Sequence, residues 1–301
     1  MKSILRLFIL FSLLGLILTL YIASDPLPAQ NELNVADTVT ESDDDIPVNQ
    51  TKDIDIEDKD RKEVEAKKNQ KIIAVYAGIG AWDENVTAIS NFLRSSSLDY
   101  VYLYENDLSD DNLRDLYDII WFPGGFAADY RYELRSHDNL RNFVAKGGIY
   151  IGICAGAYYA ADIFNWKEEE YDYPLSLFPG IAAGPLRGVT GWGQTVDLKL
   201  NEAFAFNHDN VNSFTVYYYD GPYFNAHPDE DEKITVVASY SFNDEPAIVF
   251  STYGEGIYLL IGPHPELGGY DRDSDQVSID GLDGAQWPWL HGLFMWLIDF
   301  E

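Results

Sequence analysis

The sequence predicts an α/β domain with a doubly wound, mostly parallel sheet to which antiparallel strands are appended. Three observations predict this fold class. In the first half of residues 71–301, short continuous apolar runs alternate with segments of helical periodicity. The links between these segments are short, as in sheets covered by helices on both faces. In the second half, the apolar runs are separated by turn residues and not by helical segments.

The first half is expected to supply the parallel strands. Each strand is a continuous apolar run, the pattern of a strand buried on both faces. These strands are predicted at Lys71–Gly78, Tyr100–Tyr104, Asp118–Phe122 and Ile149–Ile153. The helices between them are predicted at Asn85–Arg94, Asp110–Leu116 and Asp138–Ala145, and Gly147-Gly148 ends the last of these.

The second half is expected to supply the antiparallel strands, because turns such as Asp220-Gly221-Pro222 link its apolar runs. These strands are predicted at Ser213–Tyr219, Ile234–Tyr240, Ala247–Ser251 and Gly256–Ile261. A helix with apolar residues at helical spacing, Trp289–Phe300, is predicted to close the chain against the sheet.

Charge and cysteine content exclude several function classes. Twenty Lys and Arg residues against fifty Asp and Glu residues give a net charge of −30, which argues against nucleic acid as a partner. One cysteine allows neither an internal disulfide nor a multi-cysteine zinc site. We expect no metal and no cofactor. The run Asp271, Asp273, Asp275 is similar to the start of a calcium loop but has Gln276 and Leu282 where glycine and glutamate belong.

The N-terminus predicts an extracytoplasmic location. Lys2 and Arg6 precede an uncharged apolar run at Leu7–Ala23, which is typical of a signal peptide or membrane anchor over residues 1–24. Residues 25–70 contain prolines and the acidic run Asp43–Asp45, and we expect a disordered acidic linker. Contact with a membrane is expected only through the N-terminal segment.

Cys154 is the candidate nucleophile. It lies in Gly152-Ile153-Cys154-Ala155-Gly156, where a predicted strand passes through a tight turn into a helix. Small residues two positions before and after the cysteine let strand and helix approach each other. The N-terminus of the following helix favours a thiolate. A buried structural cysteine between small residues is the alternative.

His264 and Glu266 are the candidate base and its orienting carboxylate. Both lie in Gly262-Pro263-His264-Pro265-Glu266, directly after a predicted strand. An imidazole can accept the thiol proton, and a carboxylate two residues on can fix its tautomer. The backbone N–H groups of Gly125 and Ala155 are the candidate donors to the oxyanion that forms when sulfur attacks a carbonyl.

These motifs, in this order, resemble the class I glutamine amidotransferase-like superfamily, and within it the biotin-protein ligase N-terminal domain family. The segments that carry the resemblance are Phe122–Gly125, Gly152–Tyr158, Gly184-Pro185, Asp220–Phe224 and Gly262–Glu266. The resemblance covers most of residues 71–301. It implies a flavodoxin-like sheet and a Cys154–His264–Glu266 triad.

The chain departs from that pattern in two ways. Tyr158 stands four residues after the cysteine, where glutaminases of the superfamily usually have a glutamine that helps to recognise the substrate. Residues after 266 contain no ligase half and no Gly-Arg-Gly biotinyl-adenylate loop, so biotin transfer is not expected.

Three functions therefore remain open. The first is an exported thiol hydrolase or amidase acting on a small-molecule or peptide substrate. The second is a non-catalytic binding module on the same fold, and the third is an acidic cation-binding surface protein. Phe126, Tyr158 and Tyr223 are the residues we expect to line the substrate pocket. Further aromatic candidates are Tyr159, Tyr217–Tyr219, Phe224 and Trp192. Asn49 and Asn85 begin glycosylation sequons.

Overall fold

The computed structural model describes residues 71–189, 194–206, 212–269 and 286–300. Its strands are β1 (Ile73–Tyr76), β2 (Tyr100–Leu103), β3 (Ile119–Phe122), β4 (Ile149–Ile153), β5 (Ala161–Trp166), β6 (Glu169–Asp172), β7 (Phe178–Gly184), β8 (Gln194–Leu200), β9 (Ser213–Tyr218), β10 (Tyr223–Ala226), β11 (Thr235–Tyr240), β12 (Pro246–Tyr253) and β13 (Gly256–Ile261). Its helices are α1 (Asp83–Ser95), α2 (Leu113–Leu116), α3 (Ala127–Glu133), α4 (His137–Ala145), α5 (Ala155–Tyr159) and α6 (Trp287–Ile298).

Nine strands form the main sheet, in the order β2-β1-β3-β4-β13-β12-β11-β8-β9. The first five are mutually parallel, and the other four continue the sheet with antiparallel pairings. The predicted α/β fold class, with a parallel core and appended antiparallel strands, is confirmed. Strand order reverses beside β1, and in such sheets ligands bind outside the carboxyl ends of the strands near this reversal.

One strand has a different orientation from the one expected. The run Gly256–Ile261 was grouped with the antiparallel strands, yet β13 pairs in parallel with β4 along its length. It is antiparallel only to β12, its other neighbour. The short turn between β12 and β13 reveals only that second pairing, because the partner β4 lies about a hundred residues earlier in the chain. β13 is thus the fifth parallel strand of the core.

A second sheet of four strands, in the order β10-β7-β5-β6, was not predicted. Most of it comes from the segment between α5 and β8, where apolar and polar residues mix without a clear period. Its edge strand β6 reads Glu-Glu-Tyr-Asp and is exposed along its whole length. Acidic side chains on an exposed edge discourage pairing with other chains.

Alternate residues of the parallel strands pack into two separate cores, one on each face of the main sheet. In β1, Ile73 and Val75 pack on the face covered by α1 and α6, whereas Ala74 and Tyr76 pack on the face covered by α3, α4 and α5. This arrangement explains the continuous apolar runs, since both faces of each strand are buried. The parallel pairing of β3, β4 and β13 places the carboxyl ends of these strands side by side.

Several expected features lie outside the described residues. They include the N-terminal segment and linker over residues 1–70, Asn49, Trp192 and the acidic run from Asp271 to Asp275. Among the helices that the structure does describe, none combines the length and the apolar character needed to cross a membrane.

Candidate active site

The candidate catalytic residues follow three strands that are neighbours in the sheet. Gly125 comes three residues after β3, Cys154 directly follows β4, and His264 comes three residues after β13. Because β3, β4 and β13 are adjacent and parallel, their carboxyl ends meet at one edge. The topology therefore brings together residues that are far apart in the sequence.

Cys154 lies in a strained turn between β4 and α5. Its backbone angles are φ 49° and ψ −104°, outside the regions that L-residues readily adopt. A β-carbon on Gly152 would approach the Gly156 carbonyl oxygen to 2.5 Å, so the strand and helix come as close as the sequence pattern predicts. Strain of this kind costs about 1–3 kcal/mol and is found most often at functional sites.

The helix that follows the cysteine, α5, is short and ends at Tyr159. The chain then enters β5 of the second sheet. Because α5 begins at Ala155, the Ala155 backbone N–H directly follows Cys154.

The Cys154 side chain is 5% exposed and lies at the wall of a cavity of about 370 Å³. Its thiol donates a hydrogen bond of 3.5 Å to the Tyr219 carbonyl oxygen. The same cavity is lined by Gly125, Ala155, Phe126 and Tyr158. Four of the predicted site residues thus share one cavity with the candidate nucleophile.

His264 and Glu266 form a buried hydrogen-bonded pair. The distance from His264 Nδ1 to Glu266 Oε1 is 2.8 Å, and the two residues are 1% and 0% exposed. Burial by itself lowers the pKa of His264, but the Glu266 carboxylate and the nearby Cys154 sulfur outweigh it and raise the pKa well above its ordinary value. Within the described residues, His264 Nε2 has no hydrogen-bond partner.

Asn85 completes this pair and was missed by sequence reasoning, which treated it only as a glycosylation sequon. It is 2% exposed, and its Nδ2 lies 3.0 Å from Glu266 Oε1 and 3.3 Å from His264 Nδ1. With the Nδ1 hydrogen directed to Glu266, the Asn85 amide can donate only to the carboxylate. Glycosylation of Asn85 is incompatible with this buried position.

Gly124 leaves room for these side chains. A β-carbon at this position would lie 2.7 Å from Asn85 Oδ1 and 2.8 Å from His264 Cε1. The small residue is therefore required by the packing of the asparagine and imidazole. No local sequence signal distinguishes this role from that of an ordinary strand-end turn.

The expected oxyanion donors, Gly125 and Ala155, follow the carboxyl ends of β3 and β4. Gly125 has φ +155°, and the Phe126 N–H that follows it donates to the Gly80 carbonyl oxygen at 2.7 Å. Neither the Gly125 nor the Ala155 N–H donates to a backbone carbonyl anywhere in the described chain. Both residues line the cavity that Cys154 lines.

The predicted pocket residues have different positions. Phe126 is 57% exposed at the cavity wall, and buried Tyr158 donates from its hydroxyl to the Asp220 carbonyl oxygen at 3.0 Å. Tyr223 is on β10 and lines neither of the two cavities beside Cys154 and His264. Tyr159 and Phe224 are buried in the core.

A second cavity, of about 440 Å³, lies on the His264 side. Three aromatic residues line both cavities: Trp82, Phe126 and Tyr219. Tyr217 on β9 lines the second cavity and not the first. The thiol and the imidazole thus face two spaces that share an aromatic wall.

Comparison with known proteins identifies the family of the chain. Residues 71–281 match the family described as "Biotin-protein ligase, N terminal". The chain belongs to this family. An uncharacterized protein of Chlamydia muridarum is 31% identical over 159 residues, which cover 49% of this chain and 60% of that protein. A biotin–protein ligase of Schizosaccharomyces pombe is 28% identical over 164 residues, covering 50% of this chain and 25% of the ligase.

The fold of this biotin-protein ligase N-terminal domain is shared with a solved glutamine amidotransferase. A structure from Thermotoga maritima aligns with TM-score 0.51 and 13% identity, over 77% of this chain and 99% of that one. The chain spans 60% or less of the two sequence relatives described above. The predicted family is confirmed, and the fold matches that of the solved glutamine amidotransferase.

Proposed function

We propose that the domain is a thiol hydrolase that cleaves an amide or related acyl bond, with Cys154 as nucleophile, His264 as acid and base, and Glu266 as orienting carboxylate. One observation carries the proposal. The His264–Glu266 pair is almost fully buried, at 1% and 0% exposure, and lies beside a cysteine with strained backbone angles. The sulfur of that cysteine lines a cavity.

A purely structural role accounts poorly for this combination. A buried ion pair seldom stabilises a fold more than well-packed apolar side chains would, because both groups lose their hydration. Here Glu266 Oε2 and His264 Nε2 also lack partners among the described residues, which adds a desolvation cost. Strain at Cys154 adds a further cost at the same strand edge. Such costs are typical of sites selected for chemistry.

The proposed reaction has two stages. The Cys154 thiolate attacks the carbonyl carbon, a C–S bond forms, and the carbonyl electrons move to the oxygen, which accepts hydrogen bonds from Gly125 and Ala155. The C–N bond then breaks, and the leaving nitrogen takes a proton from the His264 imidazolium. Water next attacks the thioester and gives a proton to His264. The C–S bond breaks, the acid leaves, and the sulfur is ready for another cycle.

Glu266 and Asn85 act through the imidazole in this scheme. Glu266 accepts the Nδ1 hydrogen, so that Nε2 is the nitrogen available to the sulfur. The raised pKa of His264 favours the imidazolium that accompanies a thiolate. The thiol hydrogen must leave the Tyr219 carbonyl oxygen before it can be shared with His264 Nε2.

A second candidate function is a binding module without turnover. The observation that favours it is the thiol hydrogen bond to the Tyr219 carbonyl, together with His264 Nε2 that has no partner among the described residues. In that case the aromatic cavity would bind a ligand while Cys154 remained a neutral thiol. The two functions differ in whether the imidazole controls the ionisation of the sulfur.

Alkylation of the single cysteine separates these functions, because every modified protein molecule is modified at Cys154. The rate of reaction with iodoacetamide is measured from pH 5 to pH 10 in the full chain, since the rate follows the thiolate fraction. The midpoint is the pH at which the alkylation rate reaches half of its plateau value. For a thiol hydrolase we expect a lower midpoint for Cys154 than for the thiol of glutathione. His264→Gln should move this midpoint upward by at least about one pH unit.

His227→Gln is the matched control, because His227 pairs with Asp162 away from both cavities. It should leave the midpoint unchanged. The same midpoint in the wild type and in His264→Gln would reject the hydrolase and leave the binding module.

A further inference from the structure

The cavity beside Cys154 has two aromatic walls. Tyr158, Phe164 and Trp166 form one wall: the ring centroids of Tyr158 and Phe164 are 4.8 Å apart, and those of Phe164 and Trp166 are 6.1 Å apart. The second wall consists of Trp82, Phe126 and Tyr219. The ring centroids of Trp82 and Phe126 are 5.6 Å apart, and those of Trp82 and Tyr219 are 5.0 Å apart. Aromatic faces carry negative electrostatic potential and attract cations.

Asp220 is the one charged residue among the described residues that line this cavity. It is partly buried and forms no ion pair within 4 Å among the described residues. Burial raises the pKa of its carboxyl group, and the charge of Lys167 opposes this effect. No arginine or lysine of the described chain lines the cavity. The described residues that line the cavity therefore include one carboxylate and several aromatic rings, and none of them carries a positive charge.

A cation of the chain itself already lies against one wall. The Lys167 ammonium is 5.3 Å from the centroid of the Trp166 ring, at the exposed tip of the turn between β5 and β6. This contact shows that the Trp166 ring can hold a positive charge. A ligand cation inside the cavity would have Asp220 among its neighbours as well.

The proposed reaction decides which half of the substrate enters this space. The leaving nitrogen takes its proton from His264, which lines the second cavity and not the first. The acyl half must therefore occupy the cavity lined by Cys154, Gly125 and Ala155, which also contains Asp220.

We propose that the acyl half of the substrate carries a positively charged ammonium or guanidinium group, which binds between Asp220 and the aromatic walls of the Cys154 cavity. The assignment of this group to the acyl half rests on the proposed function. The cation site itself does not rest on the proposed function, because it is inferred from the residues that line the cavity. Suitable compounds include amino acid amides, in which the carboxyl group forms the amide and the amino group carries the positive charge.

Two charged thiol reagents test this inference on the full chain. Both are methanethiosulfonates that form a mixed disulfide with Cys154 and release methanesulfinate. One carries a trimethylammonium group and the other a sulfonate group. The ratio of their rates is divided by the same ratio for 2-mercaptoethanol, and 0.5 M NaCl screens the long-range field of the acidic chain. We expect a normalised ratio well above one.

Asp220→Asn should lower this ratio at least about threefold, as expected for loss of a partly exposed charge pair. Asparagine suits the positive φ of 53° at this position, so the turn should be retained. Glu202→Gln is the matched control: it removes the same charge at an exposed residue outside both cavities, and the ratio should be unchanged.

The outcomes separate this inference from the proposed function. A normalised ratio near one, or an unchanged ratio in Asp220→Asn, overturns the cation site even if His264→Gln shifts the alkylation midpoint. A high ratio that depends on Asp220 supports the cation site. If His264→Gln then leaves the midpoint unmoved, the cation site belongs to a binding module and the assignment to an acyl half is rejected.

Discussion

Replacing Gly124 by alanine tests whether the imidazole position controls the sulfur. The added β-carbon would lie 2.8 Å from His264 Cε1, whereas ordinary contact begins at 3.4 Å. The His264 ring must therefore move by about 0.6 Å. Because the core around it is close-packed, this movement also disturbs the hydrogen bonds that join Glu266 to His264 and Asn85. At an effective dielectric constant of about 20, two unit charges about 4 Å apart attract each other by about 4 kcal/mol, and a further separation of about 0.6 Å weakens this attraction by about 0.5 kcal/mol. The imidazolium–thiolate interaction in Gly124→Ala should therefore be weaker by about two- to threefold.

This loss of attraction shifts the midpoint of Cys154 alkylation by about 0.4 pH units toward that of a free thiol. The position of the ring is followed independently by NMR of ¹⁵N-labelled histidine side chains. Gly78→Ala is the control, because its β-carbon meets the Glu105 carboxylate and the Tyr76 hydroxyl instead of His264. It should lower stability and leave the midpoint in place. If Gly124→Ala moves the His264 resonances while the midpoint stays within about 0.2 pH units of wild type, the sulfur is independent of the imidazole and the reasoning fails.

Three further predictions concern the buried pair and the N-terminus. Asn85→Leu should cost about 1.5–3 kcal/mol in the free energy of unfolding by urea, because a hydrogen bond to a carboxylate is lost; Asn139→Leu, which loses a bond to a backbone carbonyl, should cost less. Since the pKa of His264 is raised on folding, its contribution to stability is complete below about pH 6.5 and is lost as the pH rises through the folded value. Glu266→Gln should flatten this decline above pH 6.5, and a decline as steep as in wild type would contradict the pairing. Residues 1–30 fused to alkaline phosphatase should give activity outside the cytoplasm, whereas a fusion confined to the cytoplasm would reject export.

The sequence predicts the parallel core well because its signals are local. Each core strand is a continuous apolar run that ends at a turn, and the predicted and observed bounds differ by a few residues, as for Asp118–Phe122 against Ile119–Phe122. The close approach at Gly152 also follows from local spacing, since a β-carbon there would reach the Gly156 carbonyl. Such features depend on neighbours in the chain, which the sequence displays directly.

Features that depend on distant contacts could not be predicted in the same way. The parallel pairing of β13 with β4 and the contact of Asn85 with Glu266 join residues about 100 and 181 positions apart. Asn85 occupies the first turns of α1, where an asparagine is unremarkable until the fold places the 3₁₀ helix Pro265–Gly269 beside it. Buried polar contacts of this kind become visible only when the topology is known.

The same long excursion of the chain that separates Cys154 from His264 also builds the wall of the candidate pocket. Between β4 and β13 the chain forms the second sheet, and Phe164 and Trp166 of that sheet line the Cys154 cavity. The sulfur and the imidazole are held by parallel strands of the rigid core, whereas these two rings are held by a separate layer. Under the proposed function, substitutions in β5 would therefore alter which acyl group fits without moving the strands that position Cys154 and His264. A division between a fixed edge, which here carries the proposed catalytic residues, and a variable wall is the usual way in which one fold supports different substrates.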